Sequence, residues 1–275
     1  MMQRSATVRA MTAERATSLG RALRLLEALG TDEVIAAGGC GVNELADRAG
    51  RDKSQVSRML ATLARAGFVD RDPRTRRYRL GWQLFALAAR SGDQRLLAAA
   101  APVLVRLVRE TGESGHLSVL RGGAVLTVLT ESPPRAVQAV SWVGRLVPVA
   151  STSSGRALMM DHDRAQLAAL LGEGGWERPT AKAPADVDEL LARIRQAQAA
   201  GYARVEEETE PGLVAVAAPV RDAVGRIVAA VNLSAPRFRL GRRLTKAGEA
   251  VAAAAKDVSA ALSAPMATEP EAELA

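Results

Sequence analysis

Asp52-Lys53-Ser54-Gln55-Val56-Ser57-Arg58-Met59-Leu60-Ala61-Thr62-Leu63-Ala64-Arg65-Ala66-Gly67 decides the fold of the first third of this chain. Val56, Met59, Leu60 and Leu63 recur at i, i+3, i+4 and i+7, the spacing of one buried helical face. Ser54, Arg58, Ala61 and Arg65 fall on the opposite face. Asp52 is a favoured helix-start residue, and Gln55 three positions on gives a capping-box variant. A small residue between two arginines, with hydroxyl and amide groups on the first turn, suits a helix pressed into a DNA major groove.

Upstream, Val42 to Ala49 reads as a short amphipathic helix closed by Gly50, so the two helices are joined by a tight turn of the helix-turn-helix kind. Before it, Thr17-Ser18 offer caps for a helix carrying Leu19, Ala22, Leu23, Leu26 and Leu29, and Gly38-Gly39-Cys40-Gly41 forms a break. Downstream, Phe68 to Arg71 and Arg77 to Leu80 read as two strands around the turn Asp72-Pro73-Arg74-Thr75. Arg71, Arg74, Arg76, Arg77 and Arg79 make this hairpin a basic wing able to neutralise phosphates. The residues expected to contact DNA are Lys53, Ser54, Gln55, Ser57, Arg58 and Arg65 on the helix, with Arg74, Arg76 and Arg77 on the wing. A blander alternative is a helical hairpin with solvated arginines. Helix, turn, helix and basic hairpin in that order favour DNA.

Charge distribution agrees. Residues 1–92 hold 16 Lys and Arg against 9 Asp and Glu, which accounts for the whole net charge of +7; the other 183 residues hold 21 of each sign. A basic module is joined to a neutral one. The lone Cys40 can form neither an intrachain disulfide nor a thiolate metal site by itself. No signal peptide is apparent. The longest apolar stretch, Leu96 to Val105, falls far short of the roughly 20 residues that span a bilayer. The expectation is a soluble, cytoplasmic chain without membrane association.

The remainder alternates helices and strands. Gln94 to Glu110 reads as a helix with Pro102 as a kink site. His116 to Leu120 and Ala124 to Leu129 form a hairpin through Gly122-Gly123. Asp186 to Ala200 is a helix closed by Gly201. Leu213 to Val220 and Arg226 to Leu233 form a second hairpin through Asp222-Ala223-Val224-Gly225. Leu244 to Leu262 is a final helix, followed by an acidic tail. Antiparallel strands with surrounding helices predict an α+β domain. The expected layout is a flexible arm at 1–16, a winged helix-turn-helix at 17–80, a linker helix at 81–92, a small-molecule domain at 93–263 and a disordered tail at 264–275. Leu84, Phe85 and Ala88 on the linker helix are candidates for a dimer seam.

Taken together, these stretches resemble the IclR family of bacterial regulators. The resemblance runs through Val42 to Ala46, Lys53 to Leu63, Gly67-Phe68-Val69 and Tyr78-Arg79-Leu80-Gly81. It continues through Ala150 to Ala157, Gly201-Tyr202, Glu206-Glu207-Glu208, Gly212 and Ala217 to Asp222, covering about residues 17 to 262. It implies a homodimer or dimer of dimers on palindromic operator DNA, in a family of both repressors and activators, with a repressor expected here. It also implies a profilin- or GAF-like effector-binding domain and no cofactor. The effector-binding positions it implies are Ala136, Ala139, Val147, Ser153, Ser154, Val205, Ala215, Asn232 and Ser234. Val205, Ala215 and Asn232 stand where members that bind small keto-acids can carry aspartate, cysteine and serine.

Ser151-Thr152-Ser153-Ser154-Gly155 reads as a loop entering a helix, its hydroxyls and unpaired first-turn N–H groups facing a ligand. The effector expected there is a small organic acid or other oxygenated metabolite. The alternative is a hydrolase with Ser153 or Ser154 as nucleophile, although the run lacks the G-x-S-x-G elbow. His116, at the start of an apolar strand, is expected to be a satisfied structural histidine. Asp161-His162-Asp163 has adjacent ligand types that do not converge, so no metal site is expected. Glu206-Glu207-Glu208 reads as a solvated or structural strand end rather than as acid/base carboxylates.

Overall fold

A computed structural model of the chain describes residues 17–88, 94–134, 142–172 and 178–264. The arm at 1–16, all but Ala264 of the predicted tail, and the candidate residues Ala136 and Ala139 lie outside the described residues. The chain divides into two compact units between Gln94 and Arg95.

In the first unit, α1 (Ser18–Leu29), α2 (Asp32–Ala36), α3 (Val42–Ala49) and α4 (Lys53–Arg65) are followed by β1 (Val69–Arg71), β2 (Tyr78–Leu80) and α5 (Trp82–Ala88). The α3–α4 turn depends on Gly50, which sits in the left-handed region at φ 58°. Val56 and Leu60 of α4 are fully buried, with Met59 and Leu63 packed beside them against Leu25, Leu29, Leu45, Val69 and Tyr78. Asp52 does cap α4, but without a capping box: its carboxylate accepts the Ser54 N–H at 2.8 Å. The Gln55 N–H goes to the Asp52 carbonyl instead, and the Gln55 side chain remains exposed. β1 and β2 pair antiparallel, with Asp70 opposite Arg79. Backbone bonds in both directions between Cys40 and Tyr78, each 2.8 Å, tie the wing to the helices.

The second unit is built on a six-stranded antiparallel sheet of order β5-β4-β3-β8-β7-β6. Its strands are β3 (Ser114–Arg121), β4 (Ala124–Glu131), β5 (Leu146–Pro148), β6 (Ala203–Glu206), β7 (Leu213–Arg221) and β8 (Ile227–Pro236). Both central hairpins arise where the glycine-containing turns predict them. α6 (Gln94–Thr111), which runs through Pro102 as one helix, and α11 (Leu244–Ser263) cover one face. Val214, Val216, Val231 and Leu233 point into that layer. α7 (Ser153–Leu158), α8 (Arg164–Leu171) and α9 (Val187–Ala200) cover the other face, packing on Val125, Ala217 and Ala230. The short α10 (Arg237–Leu240) links β8 to α11.

Because side chains alternate along a strand, every β7 and β8 residue that leaves the α6–α11 layer faces the α7–α9 side. The α7–α9 helices leave part of that side uncovered, and a cavity opens there.

Candidate functional site

The outward face of α4 and the tip of the wing form the first site. Lys53, Ser54, Gln55, Ser57, Arg58 and Arg65 are all exposed. At the wing turn, the Asp72 carboxylate accepts the N–H groups of Arg74 and Thr75 at 2.8 and 2.7 Å. This holds Arg74 and Arg76 outward. Arg77 is placed differently. Its Nε and Nη2 donate to the Gly39 carbonyl at 2.9 and 2.7 Å, and Glu44 lies 3.7 Å away. Arg77 therefore anchors the wing, and the solvent-facing guanidiniums are its neighbours.

The second site is one cavity of the second unit, about 60 Å³ among the described residues. Its floor is the alternation just described: His116 and Ser118 from β3, Thr127 from β4, Ala215 from β7, Asn232 and Ser234 from β8. Its rim is the start of α7, with Thr152, Ser153 and Ser154, joined by Val147, Thr209 and Trp142. α7 sits this close to the strand preceding it because residue 155 is glycine; a Cβ there would collide with the Val149 carbonyl.

Of the expected effector positions, Val147, Ser153, Ser154, Ala215, Asn232 and Ser234 line the cavity together. Val205 does not. It is buried on the edge strand β6, opposite Ala215 in register, and the cavity stops at Ala215. The helix start also differs from expectation: the Thr152 hydroxyl accepts the Gly155 N–H at 3.2 Å, so that donor is already used. Side chains add further polar groups. Ser153 Oγ and Asn232 Oδ1 are buried without a hydrogen-bond partner. Such atoms cost about 1–3 kcal/mol unless something pairs with them.

The sequence reading left out His116, Ser118, Thr127, Thr209 and Trp142. His116 is 4% exposed; its Nδ1 lies 2.9 Å from Thr130 Oγ1 and its Nε2 3.2 Å from Ser234 Oγ. Burial pushes its pKa down to about 4, so the ring is neutral and its hydrogen bonds are those of an uncharged imidazole. It is a satisfied histidine, as expected, but it belongs to the cavity wall.

Beneath α7, Arg156 is 2% exposed. Its Nη1 donates to Glu208 Oε1 and to the Arg204 carbonyl, each at 3.0 Å, and its Nη2 pairs with Glu208 Oε2. Desolvation lowers the arginine pKa, and the Glu208 carboxylate opposes that shift. Arg193 also reaches Glu208. Glu207 instead takes Lys182 and Arg237, and Glu206 takes Arg204, so the three consecutive glutamates meet different partners. The Asp161-His162-Asp163 carboxylates are likewise engaged, Asp161 by Arg221 and Asp163 as the cap of α8.

An exposed reading helix with a basic wing in one unit, and a half-open cavity with hydroxyl, amide and imidazole groups among apolar walls in the other, define a two-domain DNA-binding regulator that takes a small effector. The chain belongs to the IclR family of bacterial transcriptional regulators. The IclR helix-turn-helix domain matches residues 18–73, and the family's C-terminal domain matches residues 90–260. The chain is 32% identical over 247 residues to the HTH-type transcriptional regulator BhcR of Paracoccus denitrificans, covering 88% of this chain and 86% of that protein. It is 30% identical over 246 residues to the regulator KdgR of Escherichia coli, covering 89% and 92%. An IclR homologue from Microbacterium hydrocarbonoxydans, solved in complex with 4-hydroxybenzoate, matches with a TM-score of 0.75 at 25% identity, covering 90% of this chain and 99% of that one. No helix among the described residues is long and apolar enough to cross a membrane.

Proposed function

We propose that this regulator is a cytoplasmic repressor, homodimeric or a dimer of dimers, that leaves its operator when a small organic acid or related oxygenated metabolite fills the cavity. The observation that carries this reading is the unpartnered, buried Ser153 Oγ in a cavity with apolar walls at Val147 and Ala215. A carboxylate or carbonyl oxygen satisfies that hydroxyl. The homologue above holds an aromatic hydroxy acid. With no charged side chain on the lining among the described residues, affinity is modest.

The protein acts by binding rather than by catalysis. Among the described residues Ser153 Oγ has no hydrogen-bond partner to act as a base, and both His116 nitrogens are occupied. Lys53, Ser54, Gln55, Ser57, Arg58 and Arg65 read the operator, with Arg74 and Arg76 on its phosphates. Phe85 and Ala88 of α5 are exposed, with Leu84 half-buried beside them, and these three form an apolar seam for a second copy, as reading two half-sites requires.

Gel shifts with operator DNA across a panel of carboxylic acids and their neutral amides test this. Ser154→Phe fills the cavity and is expected to abolish the ligand response while leaving operator affinity intact. An unchanged response in Ser154→Phe overturns the cavity assignment. Sedimentation at micromolar concentration is expected to give a dimer or larger; a monomer with and without DNA overturns the seam.

A further inference from the structure

The cavity lining carries no charged side chain among the described residues, yet one guanidinium stands beside it. β5 pairs with β4 so that Val147 lies opposite Val125 and Leu146 opposite Leu126. One step further along the same register, Arg145 falls opposite Thr127, and the Thr127 N–H donates to the Arg145 carbonyl at 3.3 Å. Residues two apart along a strand, and residues directly across from one another, share a face of the sheet. Val125, Thr127 and Val147 all line the cavity, so Arg145 is the fourth position of a set of which three face it. The chain before Arg145 is fixed by backbone bonds. The Arg145 N–H donates to the Trp142 carbonyl at 3.1 Å, and the Gly144 N–H to the Thr127 carbonyl at 2.9 Å. The guanidinium lies over the Trp142 ring, 5.3 Å from its centroid. Trp142 lines the cavity, its ring at a steep angle to that of His116 with the centroids 6.4 Å apart. Arg145 is thus exposed and one ring away from the cavity.

Resting on the cavity reading above, we propose that Arg145 selects for the acid group of the effector, its guanidinium turning from the Trp142 ring to the ligand carboxylate at the cavity mouth. A guanidinium carries only donors and a permanent positive charge. It therefore pairs with a carboxylate more strongly than with the neutral amide of the same shape. An exposed contact between a cation and an aromatic face is weak, so giving it up costs little. The other oxygens of the acid are left to the hydroxyls of the lining. Because the pair forms at the solvent edge, salt screens it. That separates selection by charge from selection by shape.

Calorimetric titration of the full chain with two pairs, benzoate against benzamide and lactate against lactamide, tests the selection without any substitution. The carboxylate of each pair is expected to bind about fivefold more tightly at about 0.05 M salt, and to lose most of that preference at about 0.5 M. Arg145→Met keeps an apolar side chain beside Trp142 without the charge. In that variant the two members of each pair are expected to fall within about twofold of each other, with parental thermal melting. Arg145→Lys, which restores a charge without the planar fork, is expected to keep part of the preference. A preference that survives in Arg145→Met, or that salt leaves unchanged, overturns the role of Arg145 and leaves the organic-acid reading standing. Equal binding of acids and amides, tighter binding of the amides, or binding by none of the four overturns both.

Discussion

The α4 face and the effector cavity solve recognition with opposite materials. α4 and the wing tip expose Lys53, Arg58, Arg65, Arg74 and Arg76 to solvent, where attraction to phosphate is long-ranged and weakened by salt. The cavity is lined by hydroxyls, one amide and a neutral histidine, which act only at contact distance. Arg156 of α7 and Glu208, adjacent in sequence to the lining residues Ser154 and Thr209, are buried against each other. The comparison teaches where each unit is fragile: the first loses affinity when a charge is removed, and the second loses its fold.

The sharpest test of that division is Glu208→Ala. Removing one partner of a buried ion pair leaves Arg156 charged and unpaired, a loss of about 3–5 kcal/mol. Two-transition melting or hydrogen exchange is expected to show the second unit destabilised, with the first unchanged. Equal loss in both units breaks the comparison.

Protonation gives the next largest effect. Unfolded histidine titrates near 6.5, whereas His116 in the fold titrates at about 4, so the unfolded chain takes up this proton first as pH falls. The stabilising contribution is complete above about pH 6.5 and is lost progressively toward about pH 4, reaching about 3 kcal/mol. Both histidines of the chain, His116 and His162, lie in the second unit, so this loss falls there alone. Urea unfolding at pH 7.5 and 4.5 is expected to show a shallower pH dependence in His116→Gln than in the parent. Parallel slopes would place the buried titration elsewhere.

Smaller effects belong to the DNA face. Arg58→Ala is expected to cost about 1–3 kcal/mol in operator binding and to relax discrimination at one base pair. Arg76→Ala is expected to weaken all sequences alike and to reduce the salt slope by about one unit. Arg77→Ala, by contrast, is expected to lower the stability of the first unit, since it removes the bonds to Gly39. Quantitative band shifts at two salt concentrations, with a melting curve for each variant, separate these outcomes. An Arg77→Ala protein of parental stability would erase the distinction between anchor and contact.

Much of this was legible from local pattern. α4 announces itself because its cap, its apolar period and its polar face all agree within thirteen residues, and the β3–β4 and β7–β8 hairpins follow from turn residues. What stayed illegible depends on register between distant segments. His116 reads as an unremarkable strand residue until β8, over a hundred positions away, sets Asn232 and Ser234 beside it. The adjacent Arg76 and Arg77 look equivalent in sequence, yet one faces solvent and the other meets the Gly39 carbonyl. The three-residue β5 is too short to show any period, and Val205 falls outside the cavity because the lining on that side ends at its register partner Ala215. Three adjacent glutamates carry no mark of which one will meet a buried arginine.

Cys40 gives the first unit an internal clock. Its side chain is fully buried, burial pushes the thiol up to about 11, and its backbone is the point at which Tyr78 fastens the wing to the helical core. A thiol so placed is inert to alkylating reagents until that junction parts. The single cysteine of the chain therefore reports, by the rate at which a bulky maleimide labels it, how often the wing detaches. Operator DNA, by clamping the wing in place, slows that rate, so one unmodified residue counts the openings of the DNA-binding unit with and without its target.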